Sequence, residues 1–144
     1  MDAEALQDQI HAQIQALEKQ GFMNGQLQYC YTLKNVTSQT FFEELVTRFL
    51  MDGRTAVRAM SGLLEQPTLD YVKLFQYNMK LKGGAMSIGA CQVTTACSNL
   101  CEAIDSRNKD RCLLAFNSLK REYYTSQGKL EAIIQLERIM ISQG

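Results

Sequence analysis

The sequence predicts an all-α protein, an antiparallel four-helix bundle with additional short helices at its N-terminal end. Apolar residues recur at helical spacing through nearly the whole chain. Proline occurs once, at Pro67, so little interrupts long helices. No alternating run of apolar and polar residues is flanked by turn dipeptides, which leaves strands without a signal. Short connections between amphipathic helices favour antiparallel neighbours.

The elements follow in order. Leu6, Ile10, Ile14 and Leu17 form the stripe of a first helix, which Gly21 suits as a left-handed end. A short second helix is predicted from about Gly25 to Leu33, and Asn35 to Gln39 read as a loop. Thr40-Phe41-Phe42-Glu43 matches a capping box, in which Thr40 would accept from the Glu43 backbone and Glu43 would reach back. The third helix then carries Phe42, Leu45, Val46, Phe49, Val57, Met60 and Leu64 and stops before Pro67. A fourth starts near Thr68 to Asp70 and carries Tyr71, Leu74, Phe75, Asn78, Leu81, Ala85 and Ile88, with Gly89 ending or kinking it. Val93, Ala96, Cys97, Leu100 and Ile104 define a fifth, and Asp105 to Lys109 a polar turn. The last runs from about Asp110 to Ile141. No linker or internal repeat divides the chain, so residues 1–144 are expected to form one domain.

Composition excludes several classes. Acidic and basic residues number fifteen each, so charge gives no argument for nucleic acid or an anionic membrane as partner. No apolar run approaches a membrane span, and the polar, periodic N-terminal stretch lacks the layout of a signal peptide. Five cysteines without a CxxC motif fit a reducing compartment better than a disulfide framework. Cys97 and Cys101, spaced i, i+4, could be a metal or redox pair but read more simply as small core hydrophobes. No metal site or cofactor is expected. No phosphate-binding loop or nucleophile–base pair is visible, so the chain does not read as an enzyme.

The fourth helix holds the informative residues. On a wheel of about 100° per residue, Tyr71, Leu74, Asn78, Leu81, Ala85 and Ile88 share the core side. Asn78 is its one polar member and needs a hydrogen-bond partner. Met79 points roughly 130° away from the centre of that side by the same count. It shares a flank with Val72, Phe75, Gly83 and Met86, and Lys82 stands one turn on. Two glycines inside a helix, Gly83 and Gly84, cost about 1 kcal/mol each relative to alanine. Either something approaches closely there, or the helix kinks or ends. The apolar strip is likewise either a docking surface or a face covered by the N-terminal helices.

Tyr77-Asn78-Met79-Lys80-Leu81-Lys82-Gly83, followed by Ser87-Ile88-Gly89-Ala90, resembles the signature of plant histidine-containing phosphotransfer proteins. That motif runs His-Gln-(Leu or Phe)-Lys-Gly-Ser-Ser-(Ser or Ala)-Ser-(Ile or Val)-Gly-Ala. Leu63-Leu64-Glu65-Gln66-Pro67, Arg111-Cys112-Leu113, Glu122-Tyr123-Tyr124 and Gln135-Leu136-Glu137 extend the resemblance over about Gln9 to the C-terminus. The resemblance implies a helical bundle with an exposed acceptor histidine midway along one helix. It also implies a shuttle of phosphoryl groups between receiver domains of hybrid sensor histidine kinases and response regulators, in plants within cytokinin signalling.

The departures from the motif are chemical. Met79 stands at the acceptor position, Lys80 replaces Gln, and Gly84 and Ala85 replace serines. Imidazole accepts phosphoryl groups near neutral pH, whereas a thioether has no nucleophilic nitrogen. The only other imidazole, His11, lacks a Lys-Gly setting. The resemblance therefore implies a pseudo-phosphotransfer protein without a catalytic residue, whose receiver-binding residues are Val72, Phe75, Met79, Lys80, Lys82, Gly83, Gly84, Met86 and Ser87. Such a chain would be a competitive negative regulator, or alternatively a non-catalytic helical adaptor that has lost the relay partners. It is expected to be a monomer in cytoplasm and nucleus, binding neither nucleic acid nor membrane.

Overall fold

The computed structural model describes residues 2–143. It contains six helices: α1 (Ala3–Lys19), α2 (Gln26–Leu33), α3 (Phe41–Leu64), α4 (Tyr71–Ile88), α5 (Cys91–Asp105) and α6 (Lys109–Ser142). No strand occurs among the described residues. Helices α3 to α6 form a closed ring in which α3 packs on α4, α4 on α5, α5 on α6 and α6 back on α3. The short α2 touches α1, α3 and α4, while α1, 17 residues long, lies along α6. The core runs through the ring as Phe42, Val46 and Met60 of α3, Leu74, Leu81 and Ile88 of α4, Leu100 of α5, and Leu119, Tyr123 and Leu130 of α6. No described helix is long and apolar enough to cross a membrane.

Local chemistry sets the helix ends. Asp70 Oδ1 accepts from Lys73 N at 3.0 Å, and Asn108 Oδ1 from Arg111 N at 3.1 Å. Each satisfies a backbone donor that the first turn leaves without an intrahelical partner. The capping box expected at Thr40 does not form. The Thr40 side chain makes no cap bond and instead donates to Glu44 Oε1 at 3.1 Å. Glu43 is taken by Arg138 of α6, whose Nε lies 2.6 Å from its Oε1. A charged partner across the bundle wins over the reciprocal local bond.

Gly89 ends α4 in the left-handed region, at φ 82°. Its carbonyl accepts from Asn24 N at 2.9 Å, which ties the end of α4 to the α1–α2 connection. A Cβ at this position would stand 3.0 Å from Leu27 N and closer still to Asn24 Oδ1 and Gln26 Cβ. Gly89→Ala is therefore expected to cost about 2 kcal/mol or more, from left-handed strain together with the clash. Urea unfolding followed by circular dichroism reads it directly.

Several buried acidic groups share one titration direction. Burial pushes the Cys97 thiol up to about 12 and the Tyr123 phenol up to about 12. It also raises Cys30, Cys112 and Tyr31. Each folded value lies above its unfolded one, so the folded state holds the proton more tightly. The contribution is complete below the ordinary values of 9.0 for thiols and 10.0 for phenols and is lost as pH rises through the raised ones. Urea midpoints at about pH 7 and about pH 8 are expected to agree, with a clear fall by about pH 11.

Candidate functional site on the outer face of α4

Helix α4 is continuous through Gly83 and Gly84 to Ile88, so the glycine pair does not end it. Leu74, Asn78, Leu81, Ala85 and Ile88 are buried, as their spacing predicts. The opposite strip faces solvent: Val72 is 63% exposed, Phe75 44%, Met79 40% and Met86 58%. The N-terminal helices do not cover it. Helix α2 reaches α4 only near its end, where Gln26 Nε2 and Cys30 Sγ donate to Ser87 O at 3.2 and 3.4 Å. Among the described residues, no Cα of α1 comes within 8 Å of a Cα of α4.

The nine residues expected to bind a partner do not all share one orientation. Val72, Phe75, Met79, Gly83 and Met86 form the exposed outward strip. Half-buried Lys82 borders it on the α5 side, where its charge acts on the Cys97 thiol. Lys80, Gly84 and Ser87 lie toward α3, lining a cleft with Arg48, Phe49 and Asp52. Met79 thus sits between two ammonium groups on opposite flanks, and among the described residues neither lysine is in an ion pair.

The two glycines have different roles. A Cβ on Gly84 would meet Phe49 Cδ1 at 3.2 Å, so the close approach inferred there is made by a ring of α3. A Cβ on Gly83 would meet nothing within 4 Å. Gly83 therefore leaves open surface one turn on from Met79 rather than accommodating an internal neighbour.

Asn78 finds partners for its amide N–H groups but not for its carbonyl oxygen. Its Nδ2 donates to Cys97 O at 2.9 Å and to Cys101 Sγ at 3.1 Å, while Oδ1 has no partner. Cys101 is also 3.7 Å from Met79 Sδ, which makes it part of the site. The spacing of Cys97 and Cys101 put both on one face of α5, and Cys97 is buried as a core residue. Cys101 lies at the rim of that core, and only the packing of α5 against α4 reveals its neighbour. His11 is remote from this surface. It sits in the α1–α2 seam, edge-on to Tyr31 at 5.1 Å and within 3.4 Å of the Gln28 amide. Among the described residues no three His, Cys, Asp or Glu side chains gather in a metal-binding group.

A ring of four helices, one of them presenting an apolar, lysine-flanked outer strip, defines a helical-bundle protein with an exposed apolar face on α4. Comparison with known proteins places it further. No protein-family model matches the chain. It is 32% identical over 138 residues to histidine-containing phosphotransfer protein 1 of Oryza sativa subsp. japonica, covering 96% of this chain and 94% of that protein. It is 30% identical over 118 residues to pseudo histidine-containing phosphotransfer protein 1 of the same organism, covering 82% of this chain and 63% of that one. A crystal structure of a histidine-containing phosphotransfer protein from maize matches with a TM-score of 0.88 at 28% identity, covering 94% of this chain and 99% of that one. The chain belongs to the histidine-containing phosphotransfer protein family.

Proposed function

We propose that this chain is a pseudo-phosphotransfer protein of a plant two-component, cytokinin-type phosphorelay. It docks on receiver domains of hybrid sensor histidine kinases and response regulators and damps the relay by occupying them. The observation that carries this reading is Met79, midway along α4 on the exposed strip, with Lys80 and Lys82 on its flanks. The position matches the family's acceptor, and its side chain offers no nitrogen to phosphorylate. The chain is then a non-enzymatic competitor that works as a monomer in cytoplasm and nucleus.

The surface suits that role physically. Val72, Phe75, Met79 and Met86 supply apolar area that a partner can bury. The two lysines favour approach to an acidic receiver pocket and make association sensitive to salt. Titrating the chain into a reaction between a receiver and an active phosphotransfer protein is expected to slow transfer in proportion to receiver occupancy. Phe75→Glu places a carboxylate on the strip and is expected to weaken receiver binding by about tenfold or more. Absence of competition at saturating concentration would overturn the reading. Receiver binding that survives both Phe75→Glu and Lys82→Glu would move docking to another surface, and a chain that binds no receiver would favour the adaptor that has lost the relay partners.

A further inference from the structure

The outer side of the α3–α4 seam carries an open groove of about 760 Å³ that the apolar strip does not use. It runs from Gln66 and Asp70, at the connection between the two helices, to Lys80. One wall is α3, through Ala59, Gly62 and Leu63, and the other is α4, through Lys73, Gln76, Tyr77 and Lys80. A Cβ on Gly62 would meet nothing within 4 Å, so the missing side chain deepens the groove and relieves no internal contact. Among the described residues the side chains of Lys73, Gln76, Tyr77 and Lys80 have no hydrogen-bond or ion-pair partner. Asp70 is the one carboxylate lining the groove, and its Oδ1 is engaged in capping α4 through Lys73 N at 3.0 Å.

We propose that this groove is a second docking site, which takes an acidic amphipathic helix of a partner protein. Shape favours a helix. Lys73, Tyr77 and Lys80 recur four and three residues apart along the α4 wall, the alternation that a helix laid alongside meets in a coiled-coil seam. Ala59 and Gly62 keep the α3 wall low, so a helix axis can come close, while Leu63 and Tyr77 offer it apolar area.

Charge selects the sign of the partner. Two ammonium groups without a carboxylate partner face one carboxylate already held by a backbone N–H, so the groove favours an anionic surface. Lys73 and Lys80 stand about 10.5 Å apart along the axis at 1.5 Å per residue. A partner helix running beside α4 brings carboxylates to both from positions seven residues apart. An extended chain covers the same distance in about three residues, whose side chains point to opposite faces. It cannot turn both carboxylates into the groove. Lys80 also flanks Met79, so the groove and the strip adjoin along α4, but the groove proposal does not rest on the receiver reading.

The test uses the full-length chain and a fluorescein-labelled probe helix held by a lactam staple, with leucine at its a and d positions and glutamate at e and g. Anisotropy is expected to show saturable binding of one probe per chain that weakens with added salt. Gly62→Leu fills the groove without meeting a neighbour, and Lys73→Glu puts an acid in the first turn of α4, where the helix dipole tolerates it. Each should weaken binding by about tenfold or more with circular dichroism unchanged. Lys73→Glu should bind a probe carrying lysine in place of glutamate more tightly than the unaltered chain does, a gain that a folding defect would not give. Phe75→Ser, on the apolar strip, should leave probe binding unaltered. The proposal is overturned by absence of saturable binding, by Gly62→Leu or Lys73→Glu binding as tightly as the unaltered chain, by absence of the charge-swapped gain, or by loss in Phe75→Ser alone, which would put the probe on the strip. No receiver domain enters this measurement, so its failure leaves the docking reading standing.

Discussion

Lys34→Met is expected to lower folding stability by about 3–5 kcal/mol. Lys34 Nζ lies 2.7 Å from Glu137 Oε1, and the side chains are 11% and 0% exposed. The pair clamps α2 onto the C-terminal half of α6, and Lys34 also stands 4.9 Å over the Tyr31 ring. Glu137 Oε2 and the neighbouring Tyr31 hydroxyl have no other partner, so the lysine is what compensates the buried carboxylate. Removing it strands that charge in a site where solvent cannot reach it. Replacing both members by apolar residues removes the desolvation cost with the attraction. Lys34→Met/Glu137→Leu is therefore expected to recover most of the loss. Urea unfolding of the two singles and the double measures the cycle, and a double variant as unstable as Lys34→Met would refute it. A typical domain has about 5–15 kcal/mol in total, so losing this one contact removes a large share of it.

How much of this was legible in the sequence depends on the range of each interaction. The stripe Leu74, Asn78, Leu81, Ala85 and Ile88 is buried as its helical period predicts, because that signal is local and repeated. Gly89 reads as an end of α4 for the same reason, its positive φ being what a glycine supplies. The Thr40 capping box fails because Glu43 is drawn to Arg138, 95 residues away, and nothing near Glu43 announces that partner. Gly84 is a middle case. The sequence leaves a close approach or a kink open, and only the packing shows that the ring of Phe49 comes close. Cys101 is the residue the sequence hides most fully. Its contact with Met79 depends on the relative placement of α4 and α5, which periodicity along either helix cannot supply.

Met79→His is expected to give α4 a phosphoryl acceptor, so that the variant takes label where the pseudo-carrier reading expects none on the unaltered chain. The setting is already in place on α4. The side chain is 40% exposed, so a receiver's phosphoaspartate can approach it. Lys82 follows one turn on with no carboxylate partner among the described residues, free to offset phosphate charge. Gly83 leaves open space beside it, where a larger side chain would meet the receiver. An imidazole there supplies the nitrogen nucleophile that the thioether lacks, with an ordinary pKa near neutrality. Lys80 and Gly84 still depart from the motif, and both lie on the α3 side rather than on the strip. Transfer is therefore expected to be slower than for an active family member, yet clearly above that of the unaltered chain. Incubation with a radiolabelled phosphoreceiver distinguishes the outcomes: acid-labile, alkali-stable label on Met79→His, absent from the wild type and retained in Met79→His/His11→Ala. Label on the unaltered chain would sink the pseudo-carrier reading. An unlabelled variant that still competes for the receiver would show that docking survives while the chemistry needs more than the one nitrogen.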